Sequence, residues 1–150
     1  MIVTRQIEWD MGHRVTNHRS KCRNLHGHRY KMIVHVSGKL IDKSGDSSEG
    51  MVIDFQDIKK IIVENIHDVL DHGFMVWQKD HILMDFFKKQ PDFKYISVPF
   101  VPTAENIARW SFERLKPLFI DKFGTNLKLV EIQLWETPNS LVICCKKDIV

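Results

Sequence analysis

Apolar and polar residues alternate along four stretches of the chain, a pattern typical of strands with one buried face. Residues 2–10 and 26–40 give two such strands near the start. Residues 127–136 and 140–147 give two more near the end, joined by a turn at Pro138-Asn139. Each pair is close enough in sequence to form a hairpin, so we expect antiparallel pairing.

Two stretches between these strands have the three- and four-residue spacing of amphipathic helices. Asp54 is a credible N-cap for the first and Thr103 for the second. The apolar stripe of the first helix is Phe55, Ile58, Ile62, Ile66 and Val69; that of the second is Ala104, Ala108, Phe112, Leu115 and Phe119. Pro117 is expected to end or kink the second helix.

The resulting order is two strands, two helices and two strands. It predicts a single domain over residues 1–150 of the α+β class, with an antiparallel sheet and both helices on one face. Residues 73–101 are the least regular part and look like an insertion. Within them we expect a helix at 80–89 and a short strand at 95–100.

Composition narrows the function classes. The chain has 150 residues and a formal net charge of +3, too small to indicate a nucleic-acid-binding protein. No apolar run is long enough to cross a membrane, and the first residues do not resemble a signal sequence, so we expect a cytoplasmic protein. The three cysteines are a poor disulfide framework and are expected to be free thiols.

Histidines at 26 and 28 flank a glycine at the start of the second predicted strand. Residues two apart in a strand point to the same face, so His26 and His28 can share one metal ion. His13 ends the first strand, and a hairpin through residues 14–25 would place it opposite them. Three histidines with an open fourth position are typical of catalytic zinc. The alternative is a pair of surface histidines on a strand.

Cys22 lies four residues before His26 in a polar, cationic segment. Neighbouring positive charge favours the thiolate, which could act as a base, although a lone cysteine is more often inert. The surrounding cations would favour an anionic ligand such as a phosphate. They are Arg14, Arg19, Lys21, Arg23 and Arg29.

Six ordered motifs together resemble the 6-pyruvoyltetrahydropterin synthase / 6-carboxytetrahydropterin synthase family. They are GHR at 12–14, CRNLHGHRY at 22–30, GMVIDFQDIK at 50–59, LDHGF at 70–74, PTAENIA at 102–108 and ET at 136–137. The spacing between Cys22 and His26 is similar to that of the bacterial enzymes of queuosine biosynthesis. The resemblance implies a tunnelling fold, ββααββ, with subunits joined into rings and two rings stacked as a hexamer.

The resemblance also implies roles for individual residues. His13, His26 and His28 would bind Zn²⁺, and Cys22 would accept a proton. Asp71 and His72 would relay protons to and from the substrate side chain. Glu136 would anchor the pterin and take part in catalysis, and Thr103 and Glu105 would lie near it as substrate-binding residues.

Strand parity places Glu136 at the end of the expected core face, with Val130, Ile132 and Leu134. A carboxylate there needs a partner. The two donors of a pterin edge would serve, and so would a lysine or arginine.

The implied reaction converts 7,8-dihydroneopterin triphosphate to 6-carboxytetrahydropterin, acetaldehyde and triphosphate. Two alternatives stay open: the sister enzyme that makes 6-pyruvoyltetrahydropterin, and a pterin-binding module without catalysis. The expected partners are a pterin and further copies of the chain, with neither nucleic acid nor membrane.

Overall fold

The structure, a computed structural model, describes residues 1–149. Its strands are β1 Ile2–His13, β2 His26–Gly38, β3 Gly73–Trp77, β4 Tyr95–Val98, β5 Leu127–Thr137 and β6 Ser140–Cys145. Its α-helices are α1 Phe55–Ile62, α2 Asp68–Leu70, α3 His81–Lys88 and α4 Ala104–Phe123, and a π-helical segment, Val63–His67, joins α1 to α2. No helix within these residues has both the length and the apolar character that a bilayer crossing requires.

The six strands form one sheet in the order β4-β3-β1-β2-β5-β6. The four strands expected from sequence pair antiparallel, which confirms the α+β class. Two further strands from the 73–101 segment make the sheet mixed, because β3 runs parallel to β1 and β4 runs parallel to β3. The expected strand at 95–100 is observed as β4, whereas β3 was not anticipated.

The core lies between one face of this sheet and the two main helices. Tyr30, Met32 and Val34 of β2 are fully buried there, against the α1 and α4 side chains Ile58 and Phe112. Side chains alternate across a strand, so the odd residues of β1 and the even residues of β2 share this helix-covered face. The face includes His13, His26 and His28.

Helix α3, in contrast, packs on the opposite face of the sheet. Met75 belongs to the main core, whereas its neighbour Val76 packs with Leu83 and Phe87 of α3 in a separate small cluster. Adjacent strand residues point to opposite faces, so α3 covers the reverse side at the β3–β4 edge. The expected helix at 80–89 is therefore present, but it does not join the other two.

Helix α4 follows the predicted stripe but does not end at Pro117. Thr103 caps it by accepting a hydrogen bond from Asn106 N, and it continues to Phe123, where Gly124 adopts a left-handed φ of 66°. A proline removes one backbone donor, but Leu115 and Phe119 are fully buried on either side of it. Their packing stabilises the continuous helix, so of the two expected effects of Pro117, ending the helix is wrong.

Strand β5 contains two irregularities that set the direction of its last side chains. Val36 pairs with Leu129 and His35 pairs with Glu131, so Val130 is left unpaired in a bulge. The predicted core position of Val130 is thus a half-buried one. A second register shift falls at Glu136, between Trp135 and Thr137. Bulges commonly re-aim side chains next to functional sites.

Gly27 lies directly opposite Gly12 where β1 ends and β2 begins. A Cβ added at Gly27 would lie 2.9 Å from the Met11 carbonyl oxygen, closer than real Cβ contacts allow. That oxygen is backbone and cannot rotate away. The close approach of the two strands here therefore depends on glycine.

We predict that Gly27→Ala lowers the free energy of unfolding by about 1–3 kcal/mol, because the strands must separate to admit the methyl group. Urea denaturation measures this, with Ser37→Ala at the far end of β2 as the control. A Gly27→Ala midpoint equal to that of the wild type would contradict the prediction.

Candidate active site

Three histidines converge where β1 ends and β2 begins. His13 is the last residue of β1 and pairs directly with His26, the first of β2. His28 follows two residues later on the same face. One potential ligand nitrogen from each ring lies within 4.8 Å of the others. The hairpin expected from sequence is confirmed, and it builds a group that could hold a metal ion.

Two backbone carbonyls set the tautomers of this group. His13 Nδ1 lies 2.6 Å from the Pro102 carbonyl oxygen, and His26 Nδ1 lies 2.8 Å from that of Asn24. A carbonyl only accepts, so each Nδ1 carries the proton and each Nε2 keeps a free lone pair. His13 Nε2 is buried without a hydrogen-bond partner. A buried acceptor oriented in this way fits metal ligation.

Burial also favours the neutral form of His13 and His28. His13 is 1% exposed, and this desolvation is the main cause that lowers its pKa to about 4. The hydrogen bond to Pro102 opposes the shift, and the neighbouring His26 and His28 rings add to it. Desolvation lowers the pKa of His28 as well. Neutral imidazoles are the form that binds a metal.

A cavity of about 490 Å³ opens beside the histidine group. His13 and Cys22 line it, together with Thr103, Glu105 and Glu136. Glu136 Oε1 lies 3.6 Å from His13 Nε2, so the carboxylate borders the metal position. The structure thus brings together, in one chain, seven of the nine residues selected from sequence. The cavity volume is within the range of ordinary small-molecule sites.

Two further ionisable side chains at this site were not selected from sequence. His18 lines the cavity. Tyr30 is fully buried, and its ring meets those of His13 and His28 edge-on at 5.9 and 5.7 Å. Desolvation, and then the Glu136 charge, raise the pKa of Tyr30. The alternation of β2 places Tyr30 on the same face as His26 and His28, and this pattern could have identified it from the sequence.

Asp71 and His72 lie outside the cavity. His72 lines a separate depression of about 440 Å³ that also touches Gly12, Gly27 and His28. His72 Nδ1 is 2.7 Å from Asp71 Oδ2, and the His72 side chain is 80% exposed. Its φ of 55° is left-handed, an uncommon conformation for a residue other than glycine. Within one subunit, this pair and Cys22 do not share a site.

The fold holds the Asp71–His72 pair firmly despite its exposure. Asp10 N donates to Asp71 Oδ1 at 3.1 Å, and Asp10 O accepts from His72 N at 2.8 Å. Lys94 Nζ donates to the Asp71 carbonyl oxygen at 2.6 Å. Desolvation opposes ionisation of the Asp71 carboxylate, but the bonds from Asp10 and His72 outweigh it and lower its pKa.

The cations around Cys22 fall into two groups. Arg14 pairs with Asp80, and Arg29 pairs with Asp10, so the charge of each is already balanced. The remaining cations make no side-chain hydrogen bond or ion pair within residues 1–149. They are Arg19, Lys21 and Arg23. The uniform cluster expected from sequence therefore reduces to three free cations on the segment that carries Cys22.

The fold and the site together define an α+β protein with a candidate metal centre beside a small-molecule cavity. The chain belongs to the 6-pyruvoyl tetrahydropterin synthase family, whose model matches residues 2–147. The resemblance seen in the motifs is therefore confirmed.

Individual relatives agree with this assignment. The chain is 40% identical over 141 residues to the 6-carboxy-5,6,7,8-tetrahydropterin synthase of Haemophilus influenzae, covering 92% of this chain and 94% of the relative. It is 36% identical over 140 residues to the protein of the same name from Rickettsia felis, covering 93% and 96%. These relatives support a pterin synthase.

Solved structures support the fold. An uncharacterized protein from Wolinella succinogenes superposes with a TM-score of 0.72 at 27% identity, covering 97% of this chain and 99% of that one. The 6-pyruvoyl tetrahydropterin synthase of Caenorhabditis elegans has a TM-score of 0.68 at 24% identity, with coverage of 97% and 94%. The expected tunnelling-type fold is confirmed.

We predict that the metal-free protein loses stability as pH falls from 6.5 towards 4. The unfolded His13 binds a proton near pH 6.5, whereas the folded one resists protonation until about pH 4. Unfolding therefore takes up a proton in this window, which costs roughly 2–4 kcal/mol of stability. Urea denaturation of chelator-treated protein at several pH values measures the slope. His13→Asn should flatten it, and an unchanged slope in that variant would contradict the assignment.

Proposed function

We propose that this chain is a zinc-dependent 6-carboxy-5,6,7,8-tetrahydropterin synthase. It would convert 7,8-dihydroneopterin triphosphate and water to 6-carboxytetrahydropterin, acetaldehyde and triphosphate, a step in queuosine (7-deazapurine) biosynthesis. The observation that carries the proposal is the cavity shared by His13, Cys22 and Glu136. The names of the Haemophilus and Rickettsia relatives support the choice of product.

The metal proposed for the histidine group is zinc. Three neutral imidazole ligands that leave a fourth position open are the usual donor set of catalytic zinc. The unpartnered Nε2 of His13 and the fixed tautomers of His13 and His26 fit this role. When bound, zinc would polarise the substrate's side-chain hydroxyls and make their protons more acidic.

Glu136 would orient the pterin ring. Its carboxylate borders the cavity at a bulge of β5 and has no arginine or lysine partner within residues 1–149. The salt-bridge alternative left open by the sequence is thus not seen there. A carboxylate accepts two parallel hydrogen bonds, which suits the ring N–H and exocyclic amine of a pterin. Thr103 and Glu105 line the same cavity and would add contacts to the ligand.

Cys22 would accept a proton from the substrate side chain. It is partly buried and lines the cavity with His13, so a side chain held near the histidines would be within its reach. Cys144 is buried in β6, where burial raises its pKa to about 11, and it does not line the cavity. Of the three thiols, Cys22 is therefore the one placed for chemistry.

The triphosphate would be held by the three free cations. Arg19, Lys21 and Arg23 belong to the same connection as Cys22, and the proposed elimination releases the triphosphate next to it. Charge-assisted hydrogen bonds to phosphate oxygens are the strong interactions that such groups make. Arg14 and Arg29, by contrast, are already paired with carboxylates.

The second proton-transfer group would come from another subunit. Asp71 and His72 are firmly held and the His72 side chain is exposed, yet both lie outside the Cys22 cavity of their own chain. Strands β4 and β6 end the sheet and leave backbone groups free for pairing with another chain. We therefore propose a homo-oligomer, a hexamer of two stacked trimers, in which sites form between subunits. A cytoplasmic location stays a prediction.

We predict that zinc-loaded protein releases carboxytetrahydropterin and acetaldehyde from 7,8-dihydroneopterin triphosphate, as measured by mass spectrometry. Cys22→Ala should abolish this, whereas Cys145→Ala, which changes a thiol of β6, should not. Pyruvoyltetrahydropterin as the product would instead assign the sister activity. Zinc and pterin binding without turnover would favour the non-catalytic module.

We predict that two inactive variants, Cys22→Ala and His72→Ala, restore activity when they are refolded together. A site built from two subunits regains both groups in about a quarter of randomly mixed interfaces. Activity would be followed by triphosphate release, and each variant refolded alone is the control. Mixed oligomers without activity, or a folded monomer in dilute sedimentation, would argue against the shared site.

A further inference from the structure

Asp80 is a buried carboxylate at the start of α3, inside the 73–101 segment. Its side chain is 2% exposed. Oδ2 accepts hydrogen bonds from Arg14 Nε at 2.5 Å and Thr16 Oγ1 at 2.9 Å. Oδ1 accepts from Arg14 Nη2 at 2.5 Å and from Leu83 N at 3.3 Å, which caps α3. Every lone-pair direction of this carboxylate is thus used.

The Asp80–Arg14 pair is well suited to hold Arg14 in one position. Arg14 is 16% exposed and binds the carboxylate through two parallel hydrogen bonds, the geometry that restricts both partners most. Desolvation opposes ionisation of Asp80, but the bonds from Arg14, Thr16 and Leu83 outweigh it and lower its pKa. The ion pair therefore persists throughout the neutral pH range.

Arg14 and Thr16 lie at the beginning of the connection between β1 and β2, residues 14–25, and flank Val15. Val15 N donates to the Cys22 carbonyl oxygen at 2.8 Å, and both residues line the cavity. Within residues 1–149, every side-chain hydrogen bond from this connection to an element other than its own two strands ends on Asp80. Its other hydrogen bonds are local, such as His18 N to Val15 O.

We infer that Asp80 is a positioning residue for the reaction: by holding Arg14 and Thr16 it fixes the Cys22-bearing connection against the histidine group. The inference rests on the proposed function, in which Cys22 moves the proton. The inference assigns a role to the 73–101 segment, which carries Asp80. Helix α3 is anchored to β3 and β4 by Leu83 and Phe87, and it presents Asp80 at its N-terminus.

The test compares Asp80→Asn with the wild type. Asparagine keeps the size and an oxygen for the helix cap, but it cannot form the charged pair with both Arg14 nitrogens. We expect kcat to fall by about ten- to a hundredfold, because small misplacements of a reacting group cost that much. Bound zinc should be nearly unchanged, since the histidines are not altered.

A second measurement follows Cys22 without turnover. Iodoacetamide labelling of substrate-free, zinc-loaded protein, read by peptide mass spectrometry, reports how freely the connection opens. We expect several-fold faster labelling of Cys22 in Asp80→Asn and unchanged labelling of Cys145. This readout is independent of the substrate, so it tests the positioning role even if the pterin reaction is not observed.

Two controls separate positioning from general stability. Asp85→Asn changes an exposed aspartate of the same helix and should leave kcat and labelling unchanged. Arg14→Gln should resemble Asp80→Asn, and the double variant should be little worse than either one, as expected for two members of one pair. Normal Cys22 labelling and kcat in Asp80→Asn, or losses that only follow the unfolded fraction, would overturn the inference.

Discussion

The antiparallel register of β1 and β2 is the constraint on which the site depends. It pairs Ile2 with Ser37 at one end and His13 with His26 at the other, over the full length of both strands. A slip of one residue would turn His26 and His28 to the opposite face, away from His13. The register is specified by burial, because a slip would expose Tyr30, Met32 and Val34 together. The main core thus determines the metal position.

The protonation state and tautomer of His13 also depend on this packing. His13 lies deep enough to stay neutral, and the carbonyl of Pro102 immediately before the Thr103 cap of α4 fixes its tautomer. The helix that completes the core therefore also orients the first ligand. Core packing and site chemistry therefore meet at the start of α4.

Sequence reasoning predicted the parts of the structure that depend on local periodicity. The four long strands, the stripe of α4 and the convergence of His13, His26 and His28 all follow from spacing and chain order. Strand β3 was not predicted because GFMVW is a short run without alternation and is buried on both faces. Its parallel partner strands are also distant in sequence. The bulges at Val130 and Glu136 were not predicted because they arise where β5 pairs with its neighbouring strands. Such pairing leaves no local pattern in the sequence.

Which charged residues form ion pairs could not be predicted from sequence, for a related reason. In sequence, Arg14 and Arg29 look like Arg19 and Arg23, because all four lie close to Cys22. Only the folded structure gives the first two carboxylate partners. One of those partners, Asp80, is 66 positions from Arg14 along the chain. A long-range ion pair of this kind leaves no periodic signal, yet it decides which cations are available to an anionic ligand.

The 73–101 segment supports the two proposed proton-transfer groups from its two ends. Near its start, Asp80 binds Arg14 and Thr16 of the Cys22 connection. Near its end, Lys94 donates to the carbonyl oxygens of Asp68 and Asp71 beside His72. Strands β3 and β4 join these ends to the same sheet that carries the histidines. Because the proposed site unites Cys22 of one subunit with His72 of another, each copy of the segment would act on both sites to which its chain contributes.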